Sequence, residues 1–186
     1  MDALYKCLDR TEIRLLTDVS HNTDTAELEL RTYLREEAPE YDAVSYTWGE
    51  NLTTTSVSCN GLQLLIRKNL FRALPYIHEI RPAPQRPLWI DAISLNQDDD
   101  IEKATHVLLM GVIYKTAPRT LIWLGEAADD SDLAIDSMNA LTQRMMDVDP
   151  DLCHKAYMID KDLESVGLPD ENDAVWKSIQ DLQLRP

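Results

Sequence analysis

"PLWIDAISLNQDDD", Pro87 to Asp100, is the stretch whose reading decides the fold. Leu88, Trp89 and Ile90 form an apolar run. Asp91 interrupts it, Ala92-Ile93 resume it, and Asn96, Gln97 and three aspartates close it. A short apolar run bounded by polar residues reads as a buried strand, Leu88 to Ile93, leading into a helix. Asp98 to Asp100 suit the first turn of that helix, where carboxylates accept from unpaired amides and meet the positive end of the dipole. Asp91 fits less easily, because a buried carboxylate needs a partner. Either it makes a structural bond to a neighbouring loop, or it belongs to the wall of a site.

Downstream, "IEKATHVLLMGVIYKTA" (Ile101 to Ala117) reads as a helix with an apolar arc of Ile101, Ala104, Val107, Leu108, Val112 and Ile113. Pro118 ends it. "RTLIWLG" follows as a second strand, so apolar that helices are expected on both its faces. Strand, helix, strand is the pattern of a parallel sheet. Leu88 to Ile93 and Thr120 to Leu124 are therefore expected as neighbouring parallel strands joined by a right-handed crossover.

Upstream, "EIRLL" (Glu12 to Leu16), "AELELRTYL" (Ala26 to Leu34) and "YDAVSYTWG" (Tyr41 to Gly49) have strand character. "SVSCNGLQLLI" reads as a β-hairpin, because Asn60-Gly61 tolerates the positive φ angles of a type I′ turn. In "NLFRALPYIHEI" Asn69 can cap a helix with Leu70, Ala73, Leu74 and Ile77 on its apolar face, and Pro75 should kink or shorten it. Ser131 to Met146 and "DAVWKSIQDLQL" are further helices, the last with Val175, Ile179 and Leu182 on one side. Asp147 to Asn172 reads as an irregular acidic insertion. The fold class is α/β: a flavodoxin-like, open, mostly parallel sheet with flanking helices and a β-hairpin elaboration near the N-terminus. Residues 1–186 form a single domain, with a core at 12–127 and an acidic helical part at 128–186.

The formal charge of −15, from 18 basic and 33 acidic residues, speaks against nucleic acid or an anionic membrane as partner. From Glu126 onward 15 acids face 5 bases, a net of −10. Before it 18 face 13, a net of −5. Cys7, Cys59 and Cys153 stand far apart without a CxxC pair, which fits neither a disulfide framework nor a zinc site and suggests a reducing compartment. Cys153-His154 lacks further ligands at metal spacing. No stretch approaches the apolar length of a membrane span and no signal-peptide core opens the chain, so a cytoplasmic location is expected.

In an open parallel sheet, ligands sit outside the carboxyl ends of the strands. The strands read here end in "YTWGE" and "SLNQDDD". Tyr46, Trp48, Gly49, Asp91, Asn96 and Gln97 would gather at that rim, with aromatic faces for stacking and amides for sugar hydroxyls or a carboxamide. The five glycines are isolated, so no phosphate-cradling loop or dinucleotide fingerprint is present. There is no GxSxG and no HExxH. His21, His78, His106 and His154 read as surface or packing residues rather than general bases. No resident cofactor and no metal is expected.

As an ordered set, "EIRLL", "YDAVSYTWG", Asn69-Leu70 with Ala73-Leu74, "LWIDAISLNQ", Glu102-Lys103, Met110, "IYKTA" (Ile113 to Ala117) and "IWLGEA" (Ile122 to Ala127) resemble the fungal heterokaryon-incompatibility (HET) domain. Ser94 stands where that family commonly has cysteine, Lys103 where it has arginine and His106 where it has glutamine. The family is similar to the TIR domain, a flavodoxin-like fold whose members cleave NAD or assemble as signalling modules. The resemblance implies nonself recognition and programmed cell death, with NAD as a substrate, or alternatively a non-catalytic module acting through self-association or other cell-death proteins. In catalytic TIR domains a glutamate in a Trp-x-x-x-Glu arrangement stabilises an oxocarbenium-like state. HET domains carry a comparable segment just after a leucine-arginine-proline. This sequence stops at "LQLRP" (Leu182 to Pro186), so the resemblance implies a truncated domain that hydrolyses NAD poorly. Glu102, beside the Asn96-Gln97 rim, is the candidate carboxylate among those present.

Overall fold

Alternating side chains in the first third of the chain become a long antiparallel ladder. The computed structural model describes residues 4–21, 25–48, 53–80, 86–127, 131–147 and 174–183. Strands β1 (Glu12–His21) and β2 (Ala26–Leu34) pair along nearly their whole length, from Glu12 opposite Leu34 to His21 opposite Ala26. The register shifts between Leu16 and Asp18. There Thr17 leaves the ladder, and its Oγ1 donates to the carbonyl of Glu29 at 3.2 Å. Ala26, Leu28 and Leu30 are buried while Glu27 is exposed, the period-two pattern of a half-covered sheet.

Strands β3 (Asp42–Tyr46), β4 (Thr54–Cys59), β5 (Leu62–Arg67), β6 (Leu88–Ile90) and β7 (Arg119–Trp123) complete a seven-stranded sheet in the order β5-β4-β2-β1-β6-β3-β7. β3 is parallel to both β6 and β7, and β2 to β4, while β1 and β5 run against their neighbours. This is the open α/β sheet that the sequence implies.

The β4–β5 hairpin forms where Asn60-Gly61 places it, with φ angles of 51° and 75°. Asn60 also extends the short β2–β4 pairing. Its Oδ1 accepts from the Leu30 N–H at 2.9 Å, its Nδ2 donates to the Leu30 carbonyl at 2.8 Å, and its own N–H donates to Leu28.

Helix α1 (Lys68–Glu79) buries Leu70, Ala73, Leu74 and Ile77, as its spacing predicts, against β1, β4 and β5. Pro75 does not shorten the helix, which continues to Glu79, and the cap position is Arg67 rather than the expected Asn69. Asn69 makes other bonds, described below.

Several further expectations are corrected. β6 ends at Ile90, and Asp91 begins a single helical turn, α2 (Asp91–Ser94). β6 and β7 are parallel members of one sheet, but β3 lies between them and pairs with both. β3, with Asp42, Ala43 and Val44 all buried, lies inside the sheet, whereas Thr120 and Ile122 of β7 are exposed at its edge. Helix α3 (Asp100–Thr116) is also turned relative to its apolar arc. It buries Glu102, His106 and Ile113, and leaves Ile101, Val107, Leu108 and Val112 in solvent. An ionic partner for Glu102 outweighs the hydrophobic pattern here. Asp99 caps α3 as expected, accepting from the amides of Ile101 and Glu102, each at 3.0 Å.

Two apolar clusters result. Leu16, Val44, Ile90, Ile93 and Leu121 join the buried face of α1, while Ile13, Leu15, Tyr41, Ala43 and Trp89 meet Ile113 of α3. The chain divides into two compact units, Met1–Trp123 and Leu124–Pro186. The second contains α4 (Ser131–Asp147) and α5 (Ala174–Gln183), which pack against each other. The expected acidic insertion and Cys153-His154 lie outside the described residues.

Candidate functional site

β3, β6 and β7 deliver their carboxyl ends to one rim of the first unit. From β3 come Tyr46, Thr47 and Trp48; from β6, Asp91; from β7, Trp123. The rings of Tyr46 and Trp48 lie 8° from parallel with centroids 6.5 Å apart, as side chains two apart on an extended segment do. Trp48 is 40% exposed, and its indole N–H donates to Asp91 Oδ2 at 3.3 Å. Asp91 Oδ1 accepts from the Ala92 N–H at 2.7 Å. Asp91 is thus half-buried at the start of a helical turn, bonded to the Trp48 indole beyond the end of β3.

Burial raises the Asp91 pKa above the usual carboxylate range, and the Ala92 and Trp48 N–H groups pull it partly back. The Tyr46 phenol is raised well above its ordinary value, first by burial and then by Asp91, with Arg67 opposing. The Tyr46 hydroxyl is buried and has no hydrogen-bond partner among the described residues. An unpaired buried hydroxyl calls for an explanation. Tyr114 also faces this region: burial and then Asp91 raise its phenol, whose O–H donates to the Val44 carbonyl at 3.1 Å.

Asn96 and Gln97 reach the same rim but are largely occupied by their own loop. The Gln97 side-chain amide donates to the Asp91 carbonyl at 2.9 Å, and Asn96 Oδ1 accepts from the Asp98 N–H at 3.1 Å. Gly49 lies outside the described residues. Glu102 sits beneath the loop. Its Oε1 and Oε2 accept from Arg14 at 2.6 and 3.1 Å, and Oε1 also accepts from the Asn96 N–H at 2.8 Å. Arg14 further donates to the carbonyls of Ser94, at 3.1 Å, and Lys6, and its guanidinium lies over the Tyr5 ring. Among the described residues no group of three or more His, Cys, Asp or Glu is placed to hold a metal ion. A separate cavity of about 390 Å³ beside β2, β4 and β5 has a mixed lining that includes Glu27, Ser56, Ser58 and Gln63 with Val57 and Leu62.

The rim unites segments far apart in sequence, and those segments are ones that recur together in other chains. The sequence profile described as "Heterokaryon incompatibility protein (HET)" matches residues 41–185. The chain belongs to the HET family. Heterokaryon incompatibility protein 6, OR allele, of Neurospora crassa is 35% identical over an alignment of 120 residues that covers 59% of this chain and 18% of that protein. The chain therefore spans less than a fifth of that relative's length. No solved structure matches significantly.

In HET terms, the matched region supplies the rim, while Arg14 precedes it and holds it from below. Sequence reading passed over Arg14, although a charge amid the buried Ile13, Leu15 and Leu16 was the available signal. The departures from the common HET pattern are accommodated. Ser94 is buried, its Oγ accepting from the Ile90 N–H at 3.2 Å. Lys103 pairs with Asp100 at 2.8 Å. His106 is buried, with Nδ1 3.0 Å from the Glu102 carbonyl and Nε2 without a partner among the described residues.

Proposed function

We propose that this HET domain acts in fungal heterokaryon incompatibility as a cytoplasmic cell-death signalling domain, and that its rim takes NAD. The observation that carries this reading is the unpartnered, buried Tyr46 hydroxyl beside Trp48 and Asp91. A ligand offering an acceptor to that hydroxyl would remove the penalty of leaving it unpaired. The exposed Trp48 face suits a nicotinamide or adenine ring. A carboxylate beside the ribose would stabilise charge developing as the glycosidic bond breaks.

Asp91 is the group we assign to that role. Glu102 is not, because both its oxygens are committed to Arg14. Burial disfavours the Asp91 carboxylate, so the wild-type reaction should be slow and should fail as pH falls and Asp91 is protonated.

The test is nicotinamide release from NAD by the purified chain, with Tyr46→Phe and Asp91→Asn beside it, and NAD binding by calorimetry. Binding weakened by Tyr46→Phe, and release lost in Asp91→Asn, are expected. Absence of binding at millimolar NAD would remove the rim from consideration as a nucleotide site. The engagement of Glu102 favours a second reading, a HET domain that signals by assembly without turnover. Cell death in a fungal host that persists with Asp91→Asn would select that reading.

A further inference from the structure

Asn69 is the second residue of α1, two places past the cap position at Arg67, and the helix start has no side-chain cap bond. Its amide is spent elsewhere. Nδ2 donates to the Thr47 carbonyl at 2.7 Å and approaches Thr47 Oγ1 at 3.4 Å. Oδ1 accepts from the Trp123 indole N–H at 3.0 Å. Trp123 in turn packs on Tyr76 of α1, with centroids 5.0 Å apart. One side chain therefore ties together the carboxyl ends of β3 and β7 and the first turn of α1.

The position of the Thr47 carbonyl matters because the next residue is Trp48. β3 ends at Tyr46, so beyond it no ladder bond fixes the backbone, and Thr47 and Trp48 are both exposed. The described polar contacts that hold this pair in place are the Asn69 bond to Thr47 and the Trp48 bond to Asp91. The latter is long, at 3.3 Å, and solvent-exposed, so it cannot by itself select one orientation of the indole. The shorter, charge-neutral bond from Asn69 acts on the backbone and sets where the indole starts.

We propose that Asn69 is a positioning residue for the rim: by pinning Thr47 between α1 and Trp123 it presents Trp48 to Asp91 and to ligand. The first half of this statement concerns the free protein. The second half rests on the NAD reading given above.

The oxygen and the NH2 group of the amide can be separated chemically. Asn69→Asp keeps an acceptor for Trp123 and sets an oxygen against the Thr47 carbonyl, whereas Asn69→Ala removes both bonds. The chain has four tryptophans, Trp48, Trp89, Trp123 and Trp176, so 5-fluorotryptophan labelling gives four fluorine resonances, assignable by Trp→Phe substitution. In the ligand-free protein, Asn69→Asp should shift or broaden the Trp48 resonance while leaving that of Trp89, which is buried in the core, in place. Asn69→Ala should move Trp48 and Trp123 together. An unmoved Trp48 resonance in both variants overturns the proposal, and so does a displaced Trp89 resonance, which would mean general loosening. Titration with NAD then tests the second half: affinity should fall about tenfold in Asn69→Asp, the equivalent of one lost hydrogen bond. If the Trp48 resonance moves in Asn69→Asp but the wild type does not bind NAD, the positioning role stands and the ligand assignment falls. Equal NAD affinity in wild type and Asn69→Asp overturns the role of Asn69 in ligand presentation.

Discussion

Replacing Arg14 with methionine would remove a cation from a site closed to water, since the paired side chains of Arg14 and Glu102 are 2% and 3% exposed. Glu102 would keep the Asn96 N–H but lose two charge-assisted bonds, and the buried Ser94 carbonyl would lose a donor. Breaking a buried pair in this way costs about 3–5 kcal/mol. Against a total stability of about 5–15 kcal/mol for a domain, this is a large fraction. At about 2–4 °C per kcal/mol for a chain of this size, the melting temperature should drop by roughly 6–20 °C. Arg14→Met/Glu102→Met removes both charges, so its loss should fall short of the sum of the two single losses by about 1–3 kcal/mol. Urea unfolding at neutral pH, followed by tryptophan emission and extrapolated linearly, measures all three. The difference should persist at high salt, because ions do not screen a pair that solvent does not reach. Additive single losses, or an Arg14→Met variant as stable as wild type, would refute the view that this pair holds the rim loop. Should Glu102→Gln keep wild-type stability and yet abolish NAD turnover, Glu102 would be catalytic after all.

Further outcomes follow from single observations. The Asp91 pKa is raised in the folded state, so the fold binds its proton more tightly than the unfolded chain does. Stability from this group is present at low pH and lost as pH rises from the unfolded value of 3.8 through the folded one, and Asp91→Asn should abolish that part of the pH dependence in paired denaturation curves. Asn60→Gly keeps the positive φ of the hairpin but releases both backbone groups of Leu30, so it should lose about 1–3 kcal/mol in thermal unfolding. On α3, Leu108→Lys should change stability by no more than about 0.5 kcal/mol, because Leu108 is 78% exposed. Ile113→Ala, at the one large residue of the expected arc that is buried, should lose about 2–5 kcal/mol, and the reverse ranking would put the Leu108 side of the arc in the core.

The sequence by itself determined the elements whose signals are local. Asn60-Gly61 specifies its turn because few residues tolerate consecutive positive φ values. The i, i+3, i+4, i+7 spacing of Leu70, Ala73, Leu74 and Ile77 specifies the buried face of α1, and Asp99 specifies the start of α3. The gathering of Tyr46, Trp48 and Asp91 at one rim was also legible, because parallel strands bring their carboxyl ends to the same side. Tertiary structure alone decided which strand lies between β6 and β7, since parallel pairing joins segments across crossovers and leaves no local mark. It decided that Asn69 braces rather than caps, because the Thr47 carbonyl and the Trp123 indole become available only once the sheet has formed. It also decided the rotation of α3. A hydrophobic pattern counts what a helix can bury, but Arg14, 88 residues away in sequence, was already buried in β1 and needed Glu102. An unpaired charge in the core outweighs several apolar side chains left in water, and which charge will be in the core is a property of the fold.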